Sequence, residues 1–434
     1  MKKLGILTAG LMFLAACQQT TSNQSSKPAT QAQPAPAAKT ETATKPAPAP
    51  KPAVAAASAE TVSYAAVPRM DRHGNMLVDG KPFLPIGIYS VPKDKMSRVR
   101  DLGFNTILTY SAEGNVKWQN SVAPVEKLSA YLQSAEAEGL KVVMGLPRQA
   151  IKKWNAKLLR PRVDILRHEP ALLTWYLFDE PDSPGHKIPP QNLAKLSSLV
   201  GEVDGSRPTV IVVSELEDGL HRQDFDHANI AMVDPYVYRN KKSNISGVFK
   251  EVSGARLGTR GKKPVWAALQ IHGKGGRGYG YLEPPFKVMR NMTYQAVAGG
   301  ARAIFYFTYR GSQFEVEKSA FAAKNLKRIT AELRRLAPVI LAPTVVSPPV
   351  RVISTSRVVF RAFVHEGAAW LLVVNSGNGA AGYTVRATSG DLPASLDLPF
   401  ENRQLQTTDG VLRDNLDGLG VRIYRYRLGP PATS

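Results

Sequence analysis

The chain has a single cysteine, Cys17, among 434 residues. It can therefore form no internal disulfide and no multi-thiolate metal site. No apolar stretch is long enough to span a bilayer; the one sustained run, from Leu4 to Ala16, is too short. No G-x-G-x-x-G follows the first strand candidate, and no G-x-S-x-G elbow is present, which removes two common cofactor and nucleophile classes. No cofactor is expected. Acidic residues are scarce, 35 against 56 Lys and Arg, leaving a formal charge of +21. Such a balance suits an anionic partner. The closest basic groupings, Arg160 with Arg162 and Lys262 with Lys263, are not interleaved with aromatics, and no nucleic-acid motif accompanies them. We read a solvated basic surface, expect no nucleic-acid partner, and leave an acidic glycan or lipid headgroup open.

Residues 1–16 have the form of a secretory signal, with Lys2 and Lys3 ahead of the short apolar run. Leu14-Ala15-Ala16-Cys17 resembles the lipobox of bacterial lipoproteins. That resemblance implies cleavage before Cys17, lipidation of its thiol and new N-terminus, and a membrane partner through that anchor. Gln18 after the cysteine implies outer-membrane sorting, facing the periplasm or the surface. Residues 17–66 then read as a tether. Between Gln18 and about Val62 there is no aromatic residue, only mostly Pro, Ala, Thr, Ser, Gln and Lys. Such a composition buries too little apolar surface to offset its ordering entropy. The run K-P-A-P-A-P-K-P favours extended polyproline, so roughly 45 residues would reach at most about 140 Å.

Order is expected from about Val67. His73-Gly74-Asn75 and Asp79-Gly80 flank a short strand and suggest a hairpin. Eight apolar strand candidates follow: Phe83 to Tyr89, Phe104 to Tyr110, Leu140 to Leu146, Leu172 to Phe178, Pro208 to Val213, Ile230 to Asp234, Val265 to Gln270, and Ala303 to Tyr309. Most are continuously apolar, as parallel strands covered on both faces are. Helical segments such as Val125 to Glu138, Asn192 to Val203 and Phe286 to Ala298 lie between them. The alternation predicts a (β/α)₈ barrel over residues 67–340. The glycine-rich Gly273 to Gly280 follows the seventh strand and lacks a phosphate loop's Lys-Ser/Thr ending, so it reads as a mobile loop. After a helix from about Phe321 to Leu336 come short strand-like runs with turn signals, predicting a β-sandwich over residues 344–428.

Active sites of such barrels gather at the C-terminal strand ends. Those ends carry Tyr89, Tyr110, Asp179, Glu180, Glu215, Asp234, Tyr236, Gln270, His272 and Tyr309. Carboxyl groups combined with aromatics suit a sugar site, where rings cover pyranose faces and acids handle the glycosidic oxygen. For T-W-Y-L-F-D-E-P-D, Thr174 to Asp182, a competing reading makes Asp179 a helix N-cap and Glu180-Pro181 the opening turn. His221 and His227 flank Asp224 and Asp226, but their spacing matches no metal-ligand motif, so no metal is expected.

G-K-P-F-L-P-I-G-I-Y, W-Y-L-F-D-E-P-D, D-P-Y-V-Y and A-V-A-G-G-A-R-A-I-F-Y-F-T-Y resemble the clan of (β/α)₈ glycoside hydrolases that includes β-galactosidases and cellulases. The resemblance implies a carbohydrate substrate and makes Glu180 the acid/base. Asp179 and an aromatic wall would raise its pKa. The chain departs from the clan twice: Asp179 stands where an asparagine is usual, and Gln270 and His272 stand where strand seven usually ends in a nucleophilic glutamate. An amide cannot serve, so a second carboxylate must come from Asp234, Glu283, Glu215 or Asp179. Asp234 is favoured as the end of strand six. Tyr89, Tyr110, Asp179, Tyr236, Gln270, His272 and Tyr309 are the expected substrate contacts. The expected function is an envelope-anchored glycoside hydrolase. The alternatives are a catalytically inactive glycan-binding barrel and an envelope assembly factor.

Overall fold

The computed structural model describes residues 67–109, 123–181, 183, 186–214, 223–239, 243–273, 280–345, 347–354 and 357–429. Cys17, Tyr110, Glu215 and His221 lie outside the described residues. The hairpin expected near His73 is a three-stranded antiparallel sheet: β1 (Arg69–Met70), β2 (Met76–Val78) and β3 (Lys81–Phe83). Its Met76 belongs to the apolar cluster that fills the barrel.

Eight parallel strands close that barrel. They are β4 (Ile86–Tyr89), β5 (Thr106–Leu108), β6 (Lys141–Gly145), β7 (Leu172–Asp179), β8 (Thr209–Val213), β9 (Ile230–Val233), β10 (Val265–Gln270) and β11 (Ala301–Phe307). Their near-continuous burial explains the unbroken apolar runs, because one face meets the barrel interior and the other the helices. Leu173, Tyr176, Val210, Met232, Trp266 and Phe305 fill the interior. Gly87 on β4 is required by this filling: a Cβ there would stand 2.2 Å from the Phe305 ring.

The helices are α1 (Met96–Asp101), α2 (Val125–Ala137), α3 (Arg148–Lys152), α4 (Ala156–Leu166), α5 (Pro190–Val203), α6 (Gly247–Gly258), α7 (Phe286–Gly299) and α8 (Ala322–Ile340). Two antiparallel sheets follow. One holds β12 (Val350–Ser354), β15 (Ala381–Ala387) and β18 (Val411–Leu416). The other holds β13 (Val358–His365), β14 (Ala368–Asn375), β16 (Ser395–Leu398), β17 (Arg403–Gln406) and β19 (Val421–Arg427).

The five-stranded sheet packs on α7 and α8, and Phe363, Leu372, Val374 and Ile423 join the barrel's outer core. Asn291 of α7 donates to the Asn375 carbonyl at 2.9 Å, and Arg290 to that of Val421 at 3.1 Å. Helix α7 is buried almost all round because it serves both modules.

Candidate active site

Strand β7 ends at buried Asp179. The β7–β8 register shifts between Tyr176 and Phe178, an irregularity that re-aims the side chains beyond it. Glu180 then adopts a left-handed φ of 47°, strained for a residue with a Cβ, while its N–H bonds the Val212 carbonyl at 3.0 Å. The strain lets two consecutive carboxyl groups serve one site. The N-cap reading of Asp179 fails, since the next helix, α5, opens only at Pro190.

Asp234 stands immediately after β9 and is buried. Its carboxyl neighbours that of Glu180, and each shifts the other's titration. His186 Nδ1 is 3.1 Å from Glu180 Oε2 and 3.7 Å from Asp179 Oδ2. Arg148, the first residue of α3, donates to Asp179 Oδ2 at 3.1 Å, and the Tyr176 hydroxyl donates to Asp179 Oδ1.

These neighbours separate the three acids. Burial, then the charges of Glu180 and Asp179, push the Asp234 carboxyl well above the usual range. Burial and the Glu180 charge raise Asp179 to about 6, against the opposing pull of Tyr176, Arg148 and His186. Glu180 goes the other way. Burial opposes its charge, but the adjacent His186 and Asp234 side chains and the Arg148 charge hold it below its ordinary value. This corrects the expectation that Glu180 carries a raised pKa. These directions favour the proton on Asp234 and the charge on Glu180.

An aromatic wall adjoins the acids. Tyr236, two residues after Asp234, stacks on Phe307 at 5.6 Å and meets His272 edge-on at 5.3 Å. His272 stacks on Tyr281 at 5.1 Å. Burial, then the Asp234 charge, raises the Tyr236 phenol well above 10, so it stays a donor. Burial lowers His272 to about 4, leaving a neutral imidazole near pH 7. Four buried atoms here, Arg148 Nε, His186 Nδ1, Asp234 Oδ1 and His272 Nδ1, have no hydrogen-bond partner. Buried polar atoms without partners are uncommon, and a hydroxyl-rich ligand would satisfy them.

Three expected substrate contacts are placed elsewhere. Gln270 is fully buried: its Oε1 accepts from the Tyr238 N–H, and its Nε2 donates to the carbonyls of Tyr238, His272 and Leu282 at 3.0–3.1 Å. No valence remains for a sugar; the amide ties the loops after β9 and β10 together. Gln270→Glu should therefore not create a nucleophile. It sets a buried carboxylate against three carbonyls and should cost roughly 3 kcal/mol or more, read by chemical unfolding. An unchanged unfolding midpoint would remove Gln270 from this structural role. Tyr309 is fully buried and donates to Glu317 at 3.0 Å, beyond the end of β11. Tyr89 is buried beneath the wall, edge-on to Phe307 at 5.4 Å. Glu283, weighed as a second carboxylate, accepts instead from the Ser319 hydroxyl.

Arg148, His186, Tyr281 and Phe307 were not singled out from sequence. Arg148 follows a strand end and the strand-end rule would have found it; the others are loop or apolar residues without a local signature. Asp179, Glu180 and His186 present ligand atoms within 4.8 Å of one another, the one such set among the described residues. Arg148 already pairs with Asp179 there, which opposes a cation. Asp224, Asp226 and His227 form no such set.

The chain folds as a (β/α)₈ barrel with an appended β-sandwich, an architecture it shares with solved glycoside hydrolases, and carries two carboxyl groups at the ends of strands four and six. No family model and no curated protein matches the chain. Among solved structures it is similar to a β-L-arabinopyranosidase from Geobacillus stearothermophilus in complex with arabinose. That likeness has a TM-score of 0.55 and 11% identity over 80% of this chain and 97% of that one. An Anoxybacillus α-amylase gives 0.53 and 11% over 78% and 90%. The α-amylase of Geobacillus thermoleovorans complexed with acarbose gives 0.52 and 9% over 78% and 92%. At such identities the likeness is one of fold.

Proposed function

We propose that this chain is a glycoside hydrolase acting on an oligo- or polysaccharide, held at the cell envelope by a lipid on Cys17. The carrying observation is the pair of neighbouring carboxyl groups beside an aromatic wall, with the Asp234 pKa raised and that of Glu180 lowered. Asp234 donates its proton to the glycosidic oxygen as the bond breaks. Glu180 supplies the negative charge that meets the developing oxocarbenium ion. This reverses the role first read for Glu180, because His186 and Arg148 stabilise its ionised form. Tyr236, His272 and Tyr281 would orient the sugar ring and its hydroxyls.

The test is incubation with a glycan panel, scoring new reducing ends and measuring binding in parallel. Product release is the expected result. Binding without release from any glycan would instead support an inactive glycan-binding barrel, the reading motivated by Gln270 at the end of strand seven.

A further inference from the structure

At the opposite end of the barrel, three arginines from distant parts of the chain converge. Gly300 ends α7 in the left-handed region, with φ of 104°, and turns the chain into β11. A Cβ at Gly300 would stand 2.9 Å from Arg361 Nη1, and 3.0 and 3.4 Å from Arg256 Cδ and Nε. The side chains of Arg256, from α6, and Arg361, from β13, thus lie over the same turn. Arg302, two residues along, is buried and donates to the carbonyls of Ile340 and, at 3.2 Å, Ala342, and to the Thr344 hydroxyl at 3.0 Å.

Among the described residues, none of the three forms an ion pair, and the guanidiniums of Arg256 and Arg361 make no hydrogen bond. The Arg361 guanidinium lies over the Phe363 ring, 5.6 Å from its centroid. Burial and the charges of Arg302 and Arg256 lower its guanidinium to about 10. Asp71 offsets Arg302 from a distance. About two positive charges remain uncompensated, and a partly buried guanidinium with idle donors is costly without an anion. A phosphate monoester carries about −1.5 to −2 near pH 7 and offers three acceptor oxygens. Guanidinium forks match that geometry.

We propose that Arg256, Arg302 and Arg361 form a binding site for a phosphate monoester group, carried by a soluble molecule or by a lipid headgroup. The site stands at the junction of barrel and sandwich and is independent of the glycosidase reading.

The experiment uses the full chain with Cys17→Ser, so that no acyl group contributes. Inorganic phosphate titrated by calorimetry should bind saturably. Arg361→Gln and Arg256→Gln should each weaken it by about tenfold or more, while Arg351→Gln, an exposed arginine on β12, leaves it unchanged. Arg256 is exposed on α6, so its variant holds the test if Arg361→Gln does not fold. Sedimentation with vesicles of phosphatidylcholine, with or without phosphatidic acid, separates the sources. Phosphatidic-acid-dependent binding lost in the same variants assigns a lipid headgroup; phosphate binding without vesicle preference assigns a soluble phosphate. Failure of both probes, or parental affinity in both variants, overturns the site.

Discussion

Glu180→Gln is expected to lower kcat for glycan hydrolysis by about 10²–10⁴-fold, with the folded structure retained. The substitution preserves shape at a strained φ of 47° and removes only the charge. That charge is what the proposed chemistry uses, and it also helps hold the proton on Asp234. The variant therefore loses twice: the carboxylate is gone, and Asp234 ionises at a lower pH. The wild-type kcat/KM profile should be bell-shaped. Activity falls toward acid as Glu180 takes up a proton below its ordinary carboxylate value, and toward alkali as Asp234 loses its own from a raised one. In the smaller Glu180→Ala variant, azide should restore turnover if Glu180 is a nucleophile, since a small anion can occupy its place. Wild-type kcat in Glu180→Gln on every cleaved glycan would sink the assignment.

Asp234→Asn is expected to abolish activity to a similar degree while raising stability. Unfolded aspartate titrates near 3.9, whereas folded Asp234 titrates well above it. Between those values the folded state binds the extra proton, so wild-type stability falls as pH rises through the window. Below it both states are protonated and the effect vanishes. Asparagine resembles the protonated acid and carries no titration penalty. Each unit of raised pKa is worth about 1.4 kcal/mol, so the variant should melt higher near neutral pH by about 2 °C or more. The gain should shrink toward pH 4. A lower Tm at every pH, or a difference that does not grow with pH, would contradict a proton held on Asp234. An inactive but more stable variant is the mark of a carboxyl kept for chemistry rather than folding.

The sequence by itself determined the barrel, because burial on both faces of a parallel strand imposes continuous apolar runs, and crossover helices impose their spacing. β10 was read with its observed bounds, Val265 to Gln270, and β7 differed only in ending one residue later, at Asp179. The placement of Glu180 and Asp234 at the rim followed from counting strands four and six. What the tertiary structure decided was the direction and protonation of side chains at that rim. Gln270 and Tyr309 occupy strand-end positions as promising as Asp234, yet one is saturated by three carbonyls and the other donates to Glu317. A register shift, a positive φ and contacts from other loops set those directions, and none has a local sequence period. Arg148 and His186 decide which carboxyl keeps the proton, and Arg256, Arg302 and Arg361 meet from three elements. Electrostatics sums over neighbours in space, so only the closed barrel brings those charges together.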